Sequence, residues 1–180
     1  MAERSGNSLF NSSLFVNPDG KIVGVYRKIH LWATEATYFS RGTDYPVFDT
    51  EFGKVAMWIC YDTRFPEVAK IFALKGARVI FVPTAWLTRD VAHWKLLIRA
   101  RALDNFMYVC GADEIVETDQ HQACGASIIS NPHGELLAEA EFMTETVITA
   151  ELDLQNGDEM RKLIPVLRDR QPQTYQEILC

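Results

Sequence analysis

Three residues of this chain stand in settings that suit covalent chemistry. Cys60 ends the apolar run Val55-Ala56-Met57-Trp58-Ile59 and opens the turn Tyr61-Asp62-Thr63-Arg64-Phe65, ahead of a helix that Pro66 is suited to start. A thiol there lies at a strand's carboxyl end, near backbone N–H groups that favour a thiolate and can receive an oxyanion. Lys28, in Tyr26-Arg27-Lys28-Ile29-His30-Leu31, follows a candidate strand directly. Basic pairs at strand ends are as a rule merely solvated, but an ammonium beside a thiol would hold it as thiolate and then stabilise the oxyanion. Glu35, in Thr34-Glu35-Ala36-Thr37-Tyr38-Phe39, has no distinguishing context of its own.

The elements that would position these groups follow a regular order. Val55–Ile59 and Val79–Val82 are continuous apolar runs, as expected of strands covered on both faces. Between them, Pro66 to Lys75 reads as a helix with Val68, Ile71 and Phe72 on its buried stripe and Gly76 beyond its end. A second helix is expected from about Asp90 to Asp104, burying Trp94, Leu97, Ile98 and Ala102, followed by a strand at Met107–Cys110. Strand, helix, strand, helix, strand implies an α/β sandwich. Ser13–Gly20 echoes Ser127–Gly134: in each a strand meets Asn-Pro-x-Gly and a second strand follows, at Lys21–Tyr26 and Glu135–Ala140. Both read as β-hairpins. The echo is either recurrent turn chemistry or the mark of two quasi-equivalent halves, the first short of its leading elements.

Composition narrows the function classes. The 180 residues suit one domain; with 48% hydrophobic and 23% charged residues the chain can bury a core, which excludes disorder. The net charge of −6, without a basic run, argues against nucleic acid as a partner. No stretch approaches the ~20 apolar residues of a membrane span, and Met1 to Phe10 lacks a secretory apolar centre. A soluble, cytoplasmic protein is expected. Cys60, Cys110, Cys124 and Cys180 are too sparse for a disulfide scaffold and read as reduced thiols.

Taken together, Tyr26-Arg27-Lys28-Ile29-His30-Leu31, Glu35 and Ile59-Cys60-Tyr61-Asp62-Thr63-Arg64-Phe65-Pro66-Glu67 strongly resemble the nitrilase superfamily of carbon–nitrogen hydrolases. The resemblance continues through Lys75-Gly76-Ala77, Pro83-Thr84-Ala85, Arg99 to Asn105 and the second hairpin, covering roughly residues 8 to 165. It implies an αββα sandwich that pairs with a second copy as a homodimer. It implies hydrolysis of a small amide, carbamoyl compound or nitrile through a covalent thioester, with no metal or organic cofactor. Cys60 matches the nucleophile, and Lys28 the lysine that stabilises the tetrahedral intermediate, assisted by the backbone N–H of Tyr61. Glu35 matches a second glutamate that positions substrate and lysine. The Arg-Phe-Pro-Glu form of the cysteine motif is similar to the ω-amidase-like branch. Trp86 follows the second strand, where family members line the pocket, although an exposed loop position fits it equally.

One departure matters. The family's general-base glutamate lies tens of residues before the lysine, whereas 27 residues precede Lys28 and Glu3 lacks the expected context. The base is therefore not carried onto Glu3. The chain is expected to correspond to about the C-terminal two thirds of one hydrolase domain over residues 1–180, N-terminally incomplete, with impaired turnover and apolar sheet faces uncovered. A non-catalytic module that serves only folding or dimerisation is the alternative. A protease-like dyad of Cys60 with His30 or His93 is disfavoured, because a lone histidine in such places is usually structural. The four histidines His30, His93, His121 and His133 show no metal-ligand spacing. Arg64 either clamps a substrate carboxylate or caps local carbonyls, and Arg99 and Arg101 are expected to face salt-bridge partners on their helix.

Overall fold

The computed structural model describes residues 1–118 and 122–179; His121 and Cys180 lie outside the described residues. The chain opens with strands β1 (Ala2–Ser5), β2 (Ser8–Val16) and β3 (Ile22–Arg27), which form a three-stranded antiparallel sheet in that order. A short helix α1 (Glu35–Tyr38) precedes β4 (Val47–Thr50) and β5 (Gly53–Met57). A 3-10 turn over Cys60–Arg64 leads into α2 (Pro66–Leu74), then β6 (Val79–Thr84), α3 (Val91–Leu103) and β7 (Tyr108–Asp113). The ribbon β8 (Ile115–Glu117) and β9 (Gln122–Cys124) is followed by the hairpin β10 (Ile128–Ser130) and β11 (Leu136–Glu139), and by α4 (Leu154–Leu163). The second sheet has the order β11-β10-β7-β6-β5-β4, parallel through β5, β6 and β7 and antiparallel at both edges.

The expected strands and helices are present with shifted ends. Other segments depart from the sequence reading: Ala2–Ser5 pairs as a strand, Val47–Thr50 supplies an antiparallel edge, and α1, β8, β9 and α4 form where no element was expected. The helix faces follow the apolar stripe. Val68, Phe72, Trp94, Ile98 and Ala102 are fully buried, while Ile71 and Leu97 are partly covered. Trp94 lies against the Cα of Gly111 on β7, where a Cβ would meet its indole at 2.4 Å. The strands are not covered on both faces, however. Ile80 and Val82 are buried, but Phe81 between them is 41% exposed. It lines an apolar groove of about 910 Å³ with Phe15, Met57, Cys110 and Ile129.

The two Asn-Pro-x-Gly turns are built alike. Asn17 Oδ1 accepts from the N–H of Asp19 and Lys21, and Asn131 Oδ1 accepts from the N–H of His133 and Glu135. Gly20 and Gly134 close the turns at φ 76° and 74°. The hairpins belong to different sheets, β2 and β3 to the three-stranded one and β10 and β11 to the six-stranded one.

What fixes the end of β3 is a close backbone contact. The Gly42 N–H donates to the Lys28 carbonyl at 2.9 Å, and a Cβ on Gly42 would lie 2.1 Å from the Arg27 carbonyl oxygen. Gly42→Ala is expected to push this strand end away and to destabilise the fold by about 1–3 kcal/mol, read by urea unfolding.

Candidate active site

The loop after β3 and the turn after β5 meet at one cleft of about 920 Å³, lined by Lys28, Glu35 and Cys60 together with Asn11, Thr84 and Glu114. It opens at the carboxyl ends of β5 and β6, the usual ligand position in parallel sheets. The β5–β6 register pairs Met57 with Phe81, and carried forward three residues it sets Thr84 beside Cys60.

Cys60 starts its turn at φ 45°, in the left-handed region that non-glycine residues avoid. That geometry ends the strand abruptly, and Tyr61 follows in the first turn of a helical segment, where backbone N–H groups are not used by the helix. Ala33, on the facing loop, takes φ 47° and also lines the cleft. Strained backbone of this kind persists where surrounding structure over-determines it.

Lys28 is 2% exposed, not a solvated strand-end residue. Its Nζ donates to Glu35 Oε2 at 2.7 Å. The Trp32 N–H donates to the same oxygen at 2.6 Å, and Asn11 Nδ2 donates to Glu35 Oε1 at 2.9 Å. Both carboxylate oxygens are thus engaged, which suits Glu35 to orienting the ammonium rather than to taking a proton.

Sequence reading missed the residue that ties the two segments together. Asp62 is fully buried and accepts four donors. The Tyr26 hydroxyl and the Ile59 N–H reach Oδ2 at 2.8 and 3.1 Å. The His30 N–H and ring Nδ1 reach Oδ1 at 2.9 and 2.8 Å. Tyr26 and His30 flank Lys28, so one carboxylate clamps the lysine segment to the cysteine turn from both sides. Burial, then Asp62, pushes the Tyr26 hydroxyl up, keeping it a protonated donor. The signal in sequence was an acid two residues after the cysteine, inside a turn with no exposed role assigned to it.

His30 therefore faces Asp62 and stacks on Phe65 with ring centroids 3.6 Å apart. His93 is exposed near Asp90 at 3.5 Å. Neither lines the cleft with Cys60. Trp86 is 4% exposed, which removes the exposed-loop reading. Its N–H donates to Asp113 Oδ1 and its indole to the Asp90 carbonyl. Arg64 lies over the Trp86 ring at 4.9 Å, 3.9 Å from Asp90, in a niche shared with Cys60, Tyr61 and Trp32. Capping of the local carbonyls falls instead to buried Arg101, which donates to Thr63 and Arg64 and lies 3.7 Å from Asp104. Arg99 donates to the Gly134 carbonyl rather than to an acid. Glu3 accepts from Arg27 and Ser12, and these bonds hold its carboxyl down at about 2. It is not among the cleft residues.

The carbon-nitrogen hydrolase profile matches residues 1–162. The chain belongs to the carbon-nitrogen hydrolase family. An omega-amidase of Xenopus laevis is 40% identical over 96% of this chain, and a probable nitrilase of Schizosaccharomyces pombe is 36% identical over 98%. The chain spans 66% and 65% of those two relatives. A carbon-nitrogen hydrolase from Helicobacter pylori, of known structure, superposes with a TM-score of 0.90 at 30% identity, covering 99% of this chain and 68% of that one. The α/β architecture is thus the carbon-nitrogen hydrolase fold. Among the described residues, no helix is long and apolar enough to cross a membrane.

Proposed function

We propose that this hydrolase cleaves the C–N bond of a small amide or N-carbamoyl substrate through a thioester on Cys60. The observation that carries this reading is the shared cleft: a nearly inaccessible lysine, its glutamate and a cysteine at a strained turn line the same space. The Cys60 thiolate attacks the carbonyl carbon. The oxyanion that forms is met by the Lys28 ammonium and the Tyr61 N–H. As the tetrahedral intermediate collapses, the C–N bond breaks and the nitrogen leaves as ammonia or amine, taking up one proton equivalent to the one the thiol lost on ionising. Water then attacks the thioester, releasing the acid and regenerating the thiol. Glu35 holds Lys28 in line, and Trp86 with Arg64 forms the wall on which the acyl chain rests. The Arg64 guanidinium suits a substrate that ends in a carboxylate, such as a dicarboxylic acid monoamide. The names of the omega-amidase relatives support that choice.

Hydrolysis of the thioester is the slow half. A general base is worth about 10²–10⁴-fold; the oxygens of Glu35 are already engaged, and Glu114, the other carboxylate lining the cleft, is exposed to water. With succinamate, the expected result is a burst of about one equivalent of ammonia, a slow steady rate, and an acyl adduct on Cys60 in the intact mass. Cys60→Ala loses all three. A protein that releases no ammonia and carries no adduct is instead the non-catalytic module. Iodoacetamide at pH 7 is expected to modify Cys60 ahead of Cys110 and Cys124. Burial pushes the Cys110 thiol up to about 11 and raises Cys124 as well. In keeping with the family resemblance, two copies are proposed to pair in solution, which sedimentation would read.

A further inference from the structure

We propose that Asn11 is a positioning residue that fixes both members of the Lys28–Glu35 pair. Its contacts form a closed loop. The Lys28 N–H donates to the Asn11 carbonyl at 2.8 Å, while the Asn11 side-chain amide donates to Glu35 Oε1 at 2.9 Å. Lys28 Nζ completes the circuit on Glu35 Oε2 at 2.7 Å.

The division of labour between the oxygens is what makes the amide informative. Glu35 is held on one oxygen by Lys28 and the Trp32 N–H, both from its own loop. Those contacts fix Oε2 alone and tie it only to neighbours within the same loop, so the pair can shift with the loop as a unit. Asn11 reaches the other oxygen from β2, a strand paired in both directions by β1 and β3. The loop carboxylate is thereby referenced to the rigid sheet. The type of side chain matters too. The amide N–H₂ donates without carrying charge, so it does not compete with Lys28 for Glu35 as a second cation would. An aspartate of the same shape would present an acceptor to an acceptor and offer Lys28 a rival partner.

The proposal deepens the role given to Lys28 above and rests on it for its effect on Cys60, but its first test does not require turnover. A slowly exchanging ammonium held by a carboxylate gives a ¹H–¹⁵N signal of its own. In the full chain, the Lys28 ammonium signal is expected to broaden or vanish in N11D and in N11A, with the thermal transition retained in at least one of them. The second test is alkylation of Cys60 by iodoacetamide at pH 7, expected to fall about fivefold in either variant, the equivalent of one hydrogen bond. In a K28M background the same substitution is expected to cause no further loss, because its effect passes through the lysine. An unchanged ammonium signal in both variants, or losses that simply multiply in N11D/K28M, would overturn the proposal. If K28M itself alkylates at the parental rate, the catalytic reading of Lys28 fails while the ammonium signal still decides what Asn11 does.

Discussion

Replacing Lys28 by methionine is expected to slow acylation of Cys60 by about 10²–10³-fold, the usual cost of removing one oxyanion donor. Methionine keeps the length and apolar stem of the side chain, so the 2%-exposed channel remains filled while its charge is lost. Lys28→Arg is expected to fare little better. A planar guanidinium cannot enter a space shaped for a compact ammonium, and its fork would seek both oxygens of Glu35, one of which belongs to Asn11. The fold should survive either change, because Glu35 keeps the Asn11 and Trp32 donors and is itself partly exposed. Stopped-flow ammonia release and urea unfolding on the same preparations separate the two effects. A methionine variant that acylates at the parental rate would remove Lys28 from the chemistry.

Asp62→Ala has the second large expected effect, and it falls on stability. The substitution strands the Tyr26 hydroxyl and the Ile59 N–H in a site without solvent, and leaves the half-buried His30 N–H and ring without their acceptor. Buried donors left without an acceptor cost about 1–3 kcal/mol each, and relaxation lets some find new partners. A net loss of roughly 3–5 kcal/mol is expected, with a melting temperature lower by about 6–20 °C for a chain of this size. Asp62→Asn keeps one carbonyl oxygen in place and should fall between. Because the same carboxylate ties Tyr26 and His30 to the cysteine turn, Asp62→Asn is also expected to lower acylation while leaving most of the fold. A melting curve unchanged in Asp62→Ala would show that the clamp contributes nothing.

How much of this was legible in the sequence differs by kind of interaction. The strand–helix alternation from Val55 to Cys110 could be read because apolar runs and 3.6-residue stripes report burial directly, as Ile80, Phe72 and Trp94 show. The hairpins were legible because Asn-Pro-x-Gly carries its own turn chemistry. The edges were not. Ala2–Ser5 has no strand-like pattern and pairs because β2 presents a free ladder to it. Cys60, Lys28 and Glu35 could be singled out only through their combined resemblance to a family. Asp62 and Asn11 were invisible, since an acid in a turn and an amide in a polar strand look ordinary until the chain brings their partners from 32 to 36 and from 17 to 24 residues away. Trp86 is ambiguous in sequence because its burial depends on Trp94 and Asp113, which arrive from later elements. The exposure of Phe81 is not legible, because a continuous apolar run does not reveal which face lacks a neighbour.

The backbone at position 60 carries a consequence for engineering. A left-handed dihedral there costs a side-chain-bearing residue about 1–2 kcal/mol relative to glycine. Screens that reward thermal endurance alone would therefore drift toward glycine at 60, and at 33 for the same reason. The sturdier proteins they returned would have traded away the sulfur, and selection would need to monitor thiol chemistry to keep it.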